Sequence, residues 1–295
     1  MPHPFFAARR PQVYAHRGGS ALAPENTIAA FDHALSLGVD GLELDVQLSR
    51  DGVVVVHHDR TLERTTNLAG PVASRTADEL ARADAGYFFR RPPKDPVGAG
   101  DTGPVPPDQP RPPGGGRLDA TVDFPFRGRG VNIPTLAAVL ERYRDLRIVV
   151  EMKLDRAEMA RAVVQVVRRA GAVERVCLGS FGRRVLREAR RLEPTMATSA
   201  SREEVRWALY RSWCRWPATR VKYSGYQVPE WSGRTQVVSP RFVADSRAAG
   251  LGIQVWTVDA EADAARLLGW GVDGLITDRP DIVVPFVRAR GSVRE

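Results

Sequence analysis

Strand-like and helix-like segments alternate along almost the whole of this 295-residue chain, and no other feature constrains its fold so strongly. VYAH (13–16) is a short apolar run. NTIAAFDHALSLG follows, with Ile28, Phe31, Ala34 and Leu35 on one helical face. GLELDVQL (41–48) reads as the second strand. DGVVVVHHD reads as its hairpin return, with Asp51 and Gly52 in the turn. IPTLAAVLERYRD is then helical, with Pro134 near its start. The third and fourth strands are RIVVEMKL (147–154) and RVCLGSF (175–181). The fifth and sixth, TMATSA and part of RVKYSGYQVP, carry the faintest pattern, and GIQVWTVD and GLITD complete the set. A helical segment follows each strand sooner or later. Such alternation predicts a parallel sheet. Eight units in a chain of this length predict a TIM (β/α)8 barrel rather than an open sheet.

One segment departs from the rhythm, from Thr61 to Asn132. TADELARADAG within it reads as a short helix. The stretch at about 91–117 is low-complexity loop, and RRPPKDPVGAGDTGPVPPDQPRPPGGG alone holds nine of the chain's 22 prolines. The expectation is a single barrel domain over residues 1–295, with 61–132 inserted between the second strand and the second helix. Neither flank makes a barrel alone.

Composition narrows the setting. No apolar run approaches the roughly 18–20 residues a membrane span needs. The apolar stretch in MPHPFFAARRPQVYAHRG is too short for a secretory signal, and the first strand follows at once. Cys177 and Cys214 show no metal-binding spacing and suit a reducing compartment, so a cytoplasmic location is expected. The net charge of +8 comes largely from arginines at helical spacing, as in RAVVQVVRRAG and RRVLREARRLE. These read as solvated helix faces; the functional alternative is attraction to anionic lipid or phosphate-bearing substrates. No nucleic-acid-binding signature accompanies the charge, so nucleic acid is set aside.

A TIM barrel carries its chemistry at the C-terminal ends of its strands. His16 and Arg17 end the first strand there, and Gly18 and Gly19 open the backbone beside them. The second strand carries Glu43 and Asp45, two apart and hence on one face. The return ends in His57-His58-Asp59, and the third strand brings Glu151 and Lys153. Carboxylates crowded on one buried face repel, and a cation relieves them. Glu43, Asp45 and Glu151 offer hard oxygen ligands suited to Mg²⁺ or Ca²⁺ rather than Zn²⁺; simple pairing of these acids with Arg17 and Lys153 is the plainer reading. Arg17 and Lys153 are candidate phosphate contacts. His16 and His58 are candidates for proton transfer, with the acid and base roles open between them. His57 points to the opposite face from His58, His3 lies in the tail and His33 in a helix.

The ordered set HRG, PENT, ELDV, HD-x-TL-x-RTT, E-x-K and ITDRP resembles the glycerophosphodiester phosphodiesterase family. The likeness runs over nearly the whole chain apart from the proline-rich loop and the region around 201–235. It implies a TIM barrel with a small insertion after the second strand. It also implies metal-dependent hydrolysis of glycerophosphodiesters to glycerol 3-phosphate and an alcohol. By the same resemblance, His16 and His58 match the family's acid–base pair, Glu43, Asp45 and Glu151 its metal ligands, and Arg17 and Lys153 its phosphate contacts. Within PENT, Glu25 and Asn26 are further candidates, with a cap for the following helix as the alternative for Asn26. Trp256 is expected to wall the pocket, with plain barrel packing as the alternative.

Two departures stand out: the insertion is long and proline-rich, and residues 201–235 hold Trp207, Trp213, Trp216 and Trp231 with Tyr210, Tyr223 and Tyr226. Core or dimer packing explains such rings; weak contact with a membrane surface is the alternative. Lysophospholipase D or sphingomyelinase D-like cleavage of lipids is the rival enzymatic reading, and a barrel that binds glycerophosphodiesters without turnover the rival from another class. The attacking group is either water or the substrate's neighbouring glycerol hydroxyl.

Overall fold

The structure, a computed structural model, describes residues 3–8, 10–90, 123–216 and 221–291. The proline-rich loop expected at 91–117 lies outside them. Eight parallel strands form the barrel: β1 (Gln12–His16), β2 (Gly41–Leu48), β4 (Arg147–Met152), β5 (Val176–Gly179), β6 (Ala197–Thr198), β7 (Gly225–Pro229), β10 (Gly252–Trp256) and β11 (Gly274–Thr277). They run in the order β6-β5-β4-β2-β1-β11-β10-β7. The seam between β6 and β7 is joined by a parallel bridge from Ser199 to Gly225. The expected TIM barrel is therefore the observed one.

Successive residues of a strand face opposite sides of the wall. On β2, Leu42, Leu44 and Val46 join the apolar layer beneath the helices, while Glu43 and Asp45 face the other way and are also buried. The outer ring is α1 (Ile28–Ser36), α3 (Leu136–Arg142), α4 (Ala157–Arg169), α5 (Arg183–Leu192), α6 (Arg202–Trp213), α7 (Pro240–Ala248), α8 (Glu261–Trp270) and α9 (Pro280–Gly291). Thr135, Ser201 and Ser239 cap α3, α6 and α7 with side-chain oxygens, each relieving an otherwise unsatisfied first-turn N–H. The fifth strand is only two residues long, because the chain after Thr198 turns at once into the cap of α6 at Ser201.

The insertion leaves the barrel where expected. β3 (Val54–Val56) returns antiparallel against β2, across a tight turn in which Gly52 takes φ +76°. A short helix, α2 (Ala77–Leu80), carries a Thr76–Glu79 capping box. Val55, Leu62, Val72, Leu80, Ala83 and Ile133 give this region a small apolar core of its own. Residues 84–90 and 123–131 are tied together, with Ala85 N–H donating to Val131 O at 2.7 Å and the Arg127 guanidinium over the Tyr87 and Phe124 rings.

The first described residues are not a loose tail. Phe5 and Phe6 are buried, and Phe5 stacks on Tyr14 inside the barrel. A Cβ at Gly252 would fall 2.4 Å from the Phe6 ring, so glycine there makes room for this plug in the barrel floor. His3, expected to do nothing, binds Thr195 O through its Nε2 at 3.0 Å. Replacing Phe6 with alanine should lower stability by about 3 kcal/mol, through lost burial and a residual cavity. A urea melt of the variant against the parent measures this; an unchanged midpoint would mean the plug is dispensable.

A further antiparallel pair, β8 (Trp231–Ser232) with β9 (Thr235–Gln236), follows β7 and was not expected from the sequence. Among the described residues no helix is long and apolar enough to cross a membrane.

Candidate active site

Strand register assembles the candidate residues. β1 lies beside β2 with His16 opposite Glu43, and β2 beside β4 with Asp45 opposite Glu151. Oxygens of Glu43, Asp45 and Glu151 lie within 4.8 Å of one another, two of these residues being buried and the third partly so. Lys153, just past β4, sets its Nζ 3.2 Å from Asp45 and 3.0 Å from Glu151.

Arg17 sits in a left-handed conformation (φ +52°), and Gly18 and Gly19 continue the turn at φ +87° and +85°. Only glycine serves at 18, where a Cβ would lie 2.7 Å from the Ala30 Cβ. This turn points the Arg17 N–H at Glu43 Oε2 (3.1 Å) and the guanidinium at Glu25 (3.0 Å) and Asp45 (3.2 Å). The pairing of acids with Arg17 and Lys153 is thus present, and it is incomplete. Burial raises the Asp45 carboxyl, but Arg17 and Lys153 outweigh that and hold it far below the ordinary range. Glu43 fares differently. Burial first, then the charge of Asp45, push it up to about 8. His16 and Arg17 draw it back only in part, so one acid of the cluster is incompletely compensated by the chain's own cations.

His16 and His58 each lean on a carboxylate. His16 Nδ1 is 2.7 Å from Asp278 Oδ1, just past β11, and its Nε2 faces Glu43 at 3.8 Å. Burial would lower this imidazole; Asp278 and Glu43 overcome it and raise it to about 9. His58 Nδ1 is 2.6 Å from Asp59 Oδ1. His57 is buried, with its Nε2 bound to Thr61 O at 3.0 Å, and holds the return loop. His33 stays on the surface of α1.

Several site residues escaped the sequence reading. Asp278 and Asp59 sat inside quoted motifs without a role. Arg64 links Glu25 to Asp59, gripping Glu25 with both terminal nitrogens at 2.7 Å and reaching Asp59 with Nε. Burial raises Glu25, yet its hydrogen bonds to Arg64 and the charge of Arg17 bring it down to about 2. The alternative of Asn26 as a helix cap falls away. Thr27 caps α1, while Asn26, at φ +60°, turns inward. Its amide donates to Asp45 Oδ2 (2.9 Å) and accepts the Asp45 N–H (3.1 Å). Trp256 ends β10 and meets the half-exposed Phe181 edge-on at 6.1 Å; its ring also packs against the barrel's inner core.

Known proteins share this arrangement of sequence. The chain is 30% identical over 284 residues to the glycerophosphodiester phosphodiesterase of Caldanaerobacter subterraneus, covering 95% of this chain and 98% of that one. The crystal structure of a glycerophosphodiester phosphodiesterase from Agrobacterium tumefaciens superposes with a TM-score of 0.68 at 29% identity, covering 93% and 99% of the two chains. A phosphodiesterase from Oleispira antarctica, solved with the product sn-glycerol-3-phosphate, shares the fold at 24% identity, with a TM-score of 0.68 and 95% and 97% coverage. The model of the glycerophosphoryl diester phosphodiesterase family matches residues 16–282, from the first histidine of the site to just past its last carboxylate, and the chain belongs to that family of enzymes.

Proposed function

We propose that this enzyme hydrolyses glycerophosphodiesters to glycerol 3-phosphate and an alcohol, with a divalent cation held by Glu43, Asp45 and Glu151. The carrying observation is the three-carboxylate cluster, set beside two histidines that each rest on a carboxylate. The donor set fits such an ion: all its atoms are hard oxygens, and His16 and Arg17 compensate the buried Glu43 only in part. Mg²⁺ and Ca²⁺ are the candidates. When bound, the ion would draw charge from the non-bridging phosphate oxygens.

The chain's own groups do the rest. Arg17 supplies a planar fork for two phosphate oxygens and Lys153 a point charge beside it. Fixed in place before the reaction, both favour the extra charge that gathers as phosphorus is attacked. Asp278 and Asp59 hold the Nδ1 sides of His16 and His58, which leaves each Nε2 to carry a proton. One histidine assists the attacking water, or the neighbouring glycerol hydroxyl on the way to a cyclic phosphate that water then opens, and the other protonates the leaving oxygen. Trp256, with Phe181, walls the alcohol side. We place the enzyme in the cytoplasm, which agrees with two free thiols at Cys177 and Cys214, and treat the barrel with its insertion as one domain.

The direct test is release of glycerol 3-phosphate from glycerophosphocholine, before and after a chelator and with Mg²⁺ or Ca²⁺ restored. Product that disappears with the chelator and returns with metal is expected. No product under either ion would sink this reading. A second reading, cleavage of lysophospholipid on the head-group side, draws on the half-exposed Phe181 ring beside Trp256. Faster turnover of lysophosphatidylcholine than of glycerophosphocholine would favour it.

Asn26 carries a prediction of its own. It fixes the orientation of Asp45, so Asn26→Ala should weaken metal affinity or activity by about 10- to 100-fold, the usual effect of losing a residue that orients a ligand. Titration calorimetry with the metal, against the parent, checks this.

A further inference from the structure

The rings of residues 201–235 do not share one fate. Tyr223 and Tyr226 are core, as expected, but Trp207, Tyr210, Trp213, Trp216 and Trp231 are each about half exposed. Packing inside the domain therefore does not account for the tryptophans. Trp207, Tyr210 and Trp213 recur every three residues on α6, on the side away from the buried Ala208, Leu209 and Ser212, and the exposed Trp216 follows just past the end of the helix. All the large hydrophobic side chains exposed among the described residues are aromatic.

The free charge of this stretch is one-sided, and Asp245 on the neighbouring α7 is itself held by Ser212 and Arg241. Arg202, Arg206, Arg215, Lys222 and Arg234 are exposed in the same stretch of chain. Its three acids are already engaged by arginines outside it: Glu203 by Arg183 at 3.3 Å, Glu204 by Arg190 at 2.7 Å and Glu230 by Arg266 at 2.6 Å. A surface of amphipathic rings and basic side chains has a specific fit. Trp and Tyr settle at the head-group level of a bilayer, with the ring body in the apolar layer and the polar edge in water. Lys and Arg are drawn to an anionic leaflet.

We infer that α6 and the segment after it form an interfacial anchor that docks this enzyme on an anionic lipid surface. A second copy of the chain fits less well, since a two-fold contact sets the same basic face against itself. α6 also starts at the rim of the site, where the Arg202 N–H donates to Phe181 O at 3.2 Å and the Arg202 guanidinium lies over the Phe181 ring. Docking through this helix would hold the mouth of the barrel close to the lipid. The anchor is independent of which diester is cleaved.

The test uses the full chain with vesicles of phosphatidylcholine alone, or of phosphatidylcholine mixed with phosphatidylglycerol. Flotation with the anionic vesicles only, a blue shift of tryptophan emission and its quenching by brominated lipid are expected. A polarity-sensitive dye on Cys214, the exposed one of the chain's two cysteines, should report the same transfer. R206Q combined with R215Q should weaken binding by about thirtyfold, given the usual contribution of each basic residue near a charged membrane. W207S with W213S and W216S should abolish the shift while the thermal melt stays that of the parent. No flotation with anionic vesicles at low salt would overturn the inference. So would a stable dimer in light scattering that the triple variant converts to monomer.

Discussion

Asp45→Asn should cut kcat/KM for glycerophosphocholine by about a thousandfold or more, since a metal site supplies several kcal/mol of charge stabilisation in the transition state. The size follows from what meets at this one buried carboxylate. Lys153 lies 3.2 Å from Oδ1, and Arg17 (3.2 Å) and Asn26 (2.9 Å) share Oδ2. Asparagine keeps the shape and removes the charge. The loss should therefore appear in metal affinity and in kcat together, and excess Mg²⁺ or Ca²⁺ should restore only part of it. Steady-state kinetics across a metal titration, with circular dichroism to confirm folding, makes the measurement. Full activity in the variant would remove Asp45 from the metal site.

His16→Ala and His58→Ala should each reduce kcat by about 10²- to 10⁴-fold, the range for a lost general acid or base. They should part company when the leaving group is changed. An activated p-nitrophenyl ester needs no protonation as it departs, so the variant lacking the acid should recover most of its rate, while the variant lacking the base should not. Equal recovery in both, or in neither, would contradict a division of labour between the two imidazoles.

Much of the barrel was legible because each wall strand must bury one apolar side against helices. Leu42, Leu44 and Val46 announce such a strand with Glu43 and Asp45 between them. The cluster itself was legible for the same reason, since a two-residue repeat places both acids on one face. Contacts far apart in the chain were not. His16 and Asp278 are separated by 262 residues, and no local pattern ties them together. The Phe5–Phe6 plug was missed for a like reason: two rings in a proline-flanked stretch carry no periodicity to mark them as core. Asn26 stayed open because Asn and Thr are both good cap residues, and the choice fell to Thr27 through an inward turn that only the folded chain displays. The aromatic segment inverted the usual rule. Spacing alone would turn Trp207, Tyr210 and Trp213 inward, whereas α6 buries its small and aliphatic side instead.

The pairing of β1 with β11 has a consequence for biogenesis. As the polypeptide leaves the ribosome, β1 acquires β2 early, but its other edge waits until Thr277 has been made. Only then does Asp278 reach His16. Partial chains would carry an open sheet edge, a liability until closure, and an imidazole without its carboxylate. Completion of the His16–Asp278 pair is thus tied to synthesis of the strand that closes the barrel.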